Sequence, residues 1–171
     1  MKGYVQVYTG DGKCKTTAAL GLIVRAVGAG LRVYLGQFIK GRDYSEIRLL
    51  KARFPEVTVE QYGAGKFIRG LPTAGETASA RAGLASLTKA LQSGLYDVVI
   101  ADEACTAVMA GLFGEDALLE LIKGKPETVE LVFTGRGAGP KLQARADLVT
   151  DMHCVKHYFT AGVRGRRGIE S

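Results

Sequence analysis

Lys15 and Thr16 follow a turn, Thr9 to Cys14, that carries glycines at Gly10 and Gly12 and another lysine at Lys13. A glycine turn between a strand and a helix offers backbone N–H groups and the helix dipole to an anion. Lys15 is expected to reach the outer phosphates of a nucleotide, and the Thr16 hydroxyl to face Mg²⁺. The candidate phosphate-binding segment is Gly10, Asp11, Gly12, Lys13, Cys14, Lys15, Thr16 and Thr17. The strict pattern G-x-x-x-x-G-K-[ST] is not met, because its two glycine positions hold Thr9 and Cys14. An ordinary βα turn with surface lysines is the alternative, and a second half of the site further along weighs against it.

That half is YDVVIADE (96–103), an apolar strand running into Asp102 and Glu103. Such a strand end resembles the Walker B acid, which binds Mg²⁺ directly or through water. Glu103 is taken as the closer ligand beside Thr16, with Asp102 behind it, although neighbours on a strand point oppositely and spacing alone does not choose. A merely charged strand terminus is the alternative. Arg136, closing TVELVFTGR (128–136), could contact phosphate or lie on the surface of a Gly-rich turn. Arg25 sits in an apolar helix, where an internal salt bridge is at least as good a reading as a ligand contact. His153 and His157 are not read as a metal pair, and Cys105 and Cys154 are read as small core residues.

The elements that must position these residues alternate in type. Tyr4 to Thr9 reads as a strand and Thr17 to Gly30 as a helix apolar nearly all round, hence buried. LRVYLGQFIK (31–40) is a strand with a polar exit at Gln37 to Gly41. Asp43 and Glu46 suggest a capping box for a helix that stops before Pro55. VTVEQY (57–62) leads into GAGKFIRGLPTAG (63–75), an aperiodic stretch of the length that is usually functional. Thr73 and Glu76 form another capping box, opening a helix with Ala80, Leu84, Leu87 and Leu91 on one face. After the ADE strand come a short helical stretch, a helix near 115–123, the TGR strand, a short helix after Pro140 and a last strand at 146–152. The basic, glycine-punctuated tail is assigned no regular structure.

Strand–helix alternation implies an α/β fold: a mainly parallel sheet covered on both faces, with ligands beyond the carboxyl ends of the strands. Five polar clusters, at Gly10–Thr16, Gln37–Lys40, Gly63–Ile68, Asp102–Glu103 and Thr134–Arg136, converge on that edge. A chain of 171 residues, 47% apolar and 23% charged, reads as one domain, 1–171. No segment has the length of a membrane span and no signal peptide is visible, so a cytoplasmic location is expected. Three scattered cysteines argue against a disulfide framework or zinc site. A net charge of +6 suits an anionic ligand or acidic partner.

With the loop, QFIKG, the Gly63–Ile68 loop, the ADE strand end, TGR and the ADLVTDM…VKHY…GIE tail in order, the chain resembles the P-loop ATP:corrinoid adenosyltransferases, which act on cob(I)yrinic acid a,c-diamide and related corrinoids. That family's loop, T-G-x-G-K-G-K-T-T, accounts for Thr9, Gly10 and Gly12, and departs only at Cys14. The resemblance implies a RecA-like P-loop NTPase fold, usually homodimeric. It implies transfer of the 5′-deoxyadenosyl group of ATP to a Co(I) corrinoid, made by a reduced flavoprotein, with triphosphate leaving. Lys15, Thr16 and Glu103 would be its catalytic residues, with Gly10–Thr16 on the triphosphate and Thr16 and Glu103 on Mg²⁺. Gln37 to Lys40 and the Gly63–Ile68 loop would face the corrin. Where the family often reads G-x-G-F-x-W, this chain has GAGKFI, leaving Phe67 as the aromatic and no tryptophan. A side chain at Cys14 is expected to weaken ATP binding without abolishing it, because glycine there adopts φ > 0 freely.

Two other readings compete. A generic P-loop NTPase or kinase would transfer phosphate and need a positioned base. A nucleotide-binding regulatory or nucleic-acid module would use the net charge and the Arg164, Arg166, Arg167 tail, and bind ATP without consuming it.

Overall fold

The computed structural model describes residues 2–63, 65, 68 and 70–170. Six strands form one parallel sheet: β1 (Val5–Thr9), β2 (Val33–Gln37), β3 (Val57–Gln61), β4 (Val98–Asp102), β5 (Glu130–Thr134) and β6 (Leu148–Asp151), in the order β3-β2-β4-β5-β1-β6. Between them run α1 (Lys15–Gly28), α2 (Ser45–Arg53), α3 (Ala74–Gln92), α4 (Ala104–Met109), α5 (Asp116–Lys123) and α6 (Pro140–Arg145).

The central strands β2, β4 and β5 are buried at every position, which is why their sequences run apolar rather than alternating. Their two faces feed separate cores. Leu35, Val98, Ile100 and Val132 pack against Ala19 and Ile23 of α1 and Ile47 of α2. Val99, Ala101, Leu131 and Phe133 pack with Leu87 of α3, Leu118 of α5 and Leu142 of α6 on the other side. Every strand points its carboxyl end the same way, so the β1, β2, β4 and β5 exits meet along one edge.

Four expectations are corrected. Helix α1 is not buried all round: Ala19, Ile23 and Ala26 form its buried stripe, while Val24 is 56% exposed and Arg25 is exposed and needs no internal partner. Leu20, Leu22 and Val27 flank that stripe half-buried, and a singly exposed apolar side chain such as Val24 is ordinary. The Asp43/Glu46 capping box does not form, because α2 begins at Ser45 with Tyr44 in the cap position. The carbonyl of Asp43 instead accepts from Arg48 at 2.6 Å. Cys154 is exposed, since it lies past the end of β6 rather than in the core, whereas Cys105 is buried as expected. The tail has a 3₁₀ turn at Tyr158–Ala161. The Thr73/Glu76 box does form, with Glu76 N–H on Thr73 Oγ1 at 3.3 Å and Thr73 N–H on Glu76 Oε2 at 2.8 Å.

Candidate active site

The β1–α1 turn is shaped from two sides. Gly10 sits at φ 100°, and a Cβ there would stand 2.4 Å from the Met152 carbonyl oxygen. At Gly12 a Cβ would meet the same oxygen at 2.6 Å, and the Gly12 N–H donates to it at 2.7 Å. Both glycines are thus required by the exit of β6, which lies against the loop. Cys154 N–H on Asp11 Oδ1 at 3.1 Å adds a third tie.

Cys14 occupies the position before the lysine with φ 91° and ψ 1°, a left-handed conformation that a side chain strains. Its carbonyl accepts the first helical bond, from Ala18 N–H at 2.7 Å. Lys15 is buried, its ammonium folded onto the Gly12 carbonyl at 2.5 Å. Burial, and next the nearby Arg136 guanidinium, hold the Lys15 ammonium below its usual pKa despite Glu103 and Asp11. Lys15 and Arg136 therefore act on one another as like charges, a repulsion that a bound anion would relieve.

The acids at the β4 end take different roles. Asp102 is fully buried, and each of its oxygens has two partners. Thr16 and Thr134 hydroxyls donate to Oδ1 at 2.9 and 2.6 Å; Gln37 Nε2 and Lys40 Nζ donate to Oδ2, both at 2.9 Å. Burial alone would raise its pKa, but Lys40 and these donors outweigh it and hold the carboxyl below the usual range. Glu103, at φ 58° in the cap position of α4, turns its carboxylate to the Thr106 hydroxyl and stands 3.8 Å from Lys40 Nζ. The Thr106 hydroxyl accepts from Arg136 N–H at 3.0 Å, linking Glu103 to the β5 exit. Thr16 thus touches Asp102, the acid assigned the supporting role, while Glu103 lies one side chain away.

Gln37 and Lys40 point at Asp102 rather than into the space beside the β2 exit. That space is a cavity of about 140 Å³ lined by Phe38, Ile39, Tyr62, Gly63, Ile68 and Leu112, among others. Phe38 stacks at 5.3 Å on Tyr62 and 5.2 Å on Phe113, giving an aromatic wall. Phe67, the aromatic expected here, lies outside the described residues. Thr134 was expected at this edge only as part of the Thr134–Arg136 cluster, and Thr106 was not singled out from sequence. A threonine closing the otherwise apolar β5 was the available signal for Thr134, and spacing of i, i+3 from Glu103 for Thr106.

A family model for the ATP:corrinoid adenosyltransferases BtuR/CobO/CobP matches residues 1–171. The chain belongs to that family. It is 34% identical over 170 residues to a corrinoid adenosyltransferase of Pseudomonas aeruginosa, covering 99% of this chain and 84% of the relative. It is 32% identical to the corrinoid adenosyltransferase of Escherichia coli K12, covering 99% and 86%. The corrinoid adenosyltransferase CobA of Salmonella typhimurium is also 32% identical, over 176 residues and the same shares. Among the described residues no helix is long and apolar enough to cross a membrane.

Proposed function

We propose that this member of the family transfers the 5′-deoxyadenosyl group of ATP to the Co(I) centre of a corrinoid and releases triphosphate. The cobalt lone pair forms the Co–C5′ bond, the C5′–O bond breaks, and the bonding pair leaves on the triphosphate while cobalt is oxidised to Co(III). Co(I) is a strong nucleophile and needs no base. The protein's tasks are to align C5′ with cobalt and to stabilise charge on the leaving triphosphate. The observation that carries this reading is the Gly10–Thr16 loop, with Lys15 buried on its Gly12 carbonyl and Thr16 bonded to Asp102, in a chain that matches the family from end to end.

Lys15 leaves the Gly12 carbonyl for the phosphates, and the loop N–H groups and the α1 dipole supply the remaining stabilisation. The oxygen donors Thr16, Asp102 and Glu103 suit Mg²⁺, which when bound would neutralise part of the triphosphate charge. The Phe38–Tyr62–Phe113 side receives the corrin. We assign a homodimer in the cytoplasm and a reduced flavoprotein as the source of Co(I), on the resemblance. A phosphate-transferring kinase reading gains no support from the site, because the carboxylates near Lys15 already hold protein donors: Asp11 the Cys154 N–H, Glu103 the Thr106 hydroxyl and Asp102 four side chains.

The test is anaerobic mixing of chemically reduced Co(I) corrinoid with protein and MgATP. Loss of Co(I) absorbance and appearance of adenosylcorrinoid is the expected result. Persistence of Co(I) with both the natural chain and a Cys14→Gly variant would overturn the reading.

A further inference from the structure

The contacts of Lys40 go beyond a simple ion pair. Its ammonium donates to the Thr16 hydroxyl at 2.6 Å and to Asp102 Oδ2 at 2.9 Å, with Glu103 Oε1 at 3.8 Å. These three groups are the oxygen donors assigned above to Mg²⁺. Because Thr16 spends its proton on Asp102 Oδ1 at 2.9 Å, the lone pair it offers Lys40 is one that a metal would use. Two cations crowded on one hydroxyl and one carboxylate repel steeply.

We propose that Lys40 is an internal competitor for the Mg²⁺ site: its ammonium and the metal exclude one another from the Thr16–Asp102–Glu103 cradle, and MgATP entry drives the side chain out. This rests on the metal-nucleotide reading given above. It also moves Lys40 from the corrin-facing role implied by the resemblance to a positioning role on the phosphate side.

The backbone leading to Lys40 fits a held rather than relaxed side chain. Ile39, β-branched, sits at φ 61°, and Lys40 N–H closes a tight turn onto the Phe38 carbonyl at 2.5 Å. Left-handed backbone at such a residue persists only where surroundings impose it. The turn is also packed backbone to backbone on the next loop: a Cβ on Gly41 would stand 1.9 Å from Gly63 O, and Gly63 N–H donates to Lys40 O at 3.2 Å. Phe38, Ile39 and Gly63 line the aromatic-walled cavity. The turn that carries Lys40 therefore also forms one wall of that cavity.

The experiment is Mn²⁺ binding to the full chain, read by electron paramagnetic resonance of free Mn²⁺, without nucleotide and with ATP. Lys40→Gln keeps a donor to Asp102 without the charge, Lys40→Met removes both, and Lys40→Arg keeps the cation. The expected result is Mn²⁺ affinity raised about tenfold in Lys40→Gln and Lys40→Met without nucleotide, the scale of removing a unit charge a few ångströms away. Lys40→Arg is expected to bind no more tightly than the natural chain. A structural role for Lys40 would weaken binding in all three, and equal or weaker binding in Lys40→Gln overturns the proposal. No Mn²⁺ binding by any form, even with ATP, overturns the metal-site reading beneath it.

Discussion

Glu170, near the end of the chain, reaches the phosphate loop: its carboxylate lies 3.6 Å from Lys13 Nζ, which also donates to the Ile169 carbonyl at 3.2 Å. The same carboxylate accepts from Arg166 Nη2 at 3.1 Å, from the Arg166 N–H at 2.7 Å and from the Tyr158 hydroxyl. A loop lysine expected to serve triphosphate is thus shared with a carboxylate from the tail. Glu170→Gln is predicted to tighten ATP binding about two- to fivefold, the range of an exposed ion pair. Calorimetric titration with ATP measures it, and unchanged or weaker binding would contradict the sharing.

The same contacts set a pH dependence. Arg166, then Tyr158, pull the Glu170 carboxyl down to about 2 from its ordinary 4.5. A depressed carboxyl contributes order above its unfolded value and loses it as pH falls toward the folded one. The tail clamp is therefore predicted intact at pH 5 and lost between 4.5 and about 2. Amide exchange at Arg166, whose N–H is held by Glu170, reports it; loss already at pH 5 would count against the clamp.

Cys14 offers a backbone test. With φ 91°, replacement by glycine relieves a strain of about 1 kcal/mol. Cys14→Gly is predicted to raise stability by up to that amount in a denaturant titration and to bind ATP more tightly. Cys14→Val, branched at the strained position, should destabilise. If Cys14→Gly bound ATP no more tightly, the substitution would be functionally neutral.

Asp102 holds the polar centre together. Asp102→Ala would leave Lys40, Gln37, Thr16 and Thr134 without their shared acceptor. Removing one partner of such a buried charge network costs about 3–5 kcal/mol. Unfolding midpoints of Asp102→Ala and the natural chain measure this, and a loss under about 1 kcal/mol would show the network relaxes around the gap.

The alternation of strands and helices was legible because β2, β4 and β5 are buried on both faces and so read as plain apolar runs. The convergence of Gly10–Thr16, Asp102 and Arg136 followed from parallel topology alone. What was not legible depends on side-chain reach. Which of Asp102 and Glu103 meets Thr16 depends on Glu103 adopting φ 58° at the start of α4, which spacing does not encode. Gln37 and Lys40 sit where a corrin-facing role was natural, yet a tight turn at Ile39 directs Lys40 back to Asp102. The Asp43/Glu46 box had the right residues, but α2 starts a residue too late for it. The glycines at Gly10 and Gly12 were read as part of an anion-binding turn, and the structure adds the Met152 backbone as a separate reason for them.

The most direct measurement is the phosphorus-containing product of a single turnover. Protein, MgATP and a limiting amount of Co(I) corrinoid are mixed anaerobically, quenched and analysed by ³¹P NMR. The account predicts one triphosphate for each adenosylated corrinoid, and none when Lys15 is replaced by alanine. Orthophosphate or ADP as the product, with the corrinoid unmodified, would contradict it.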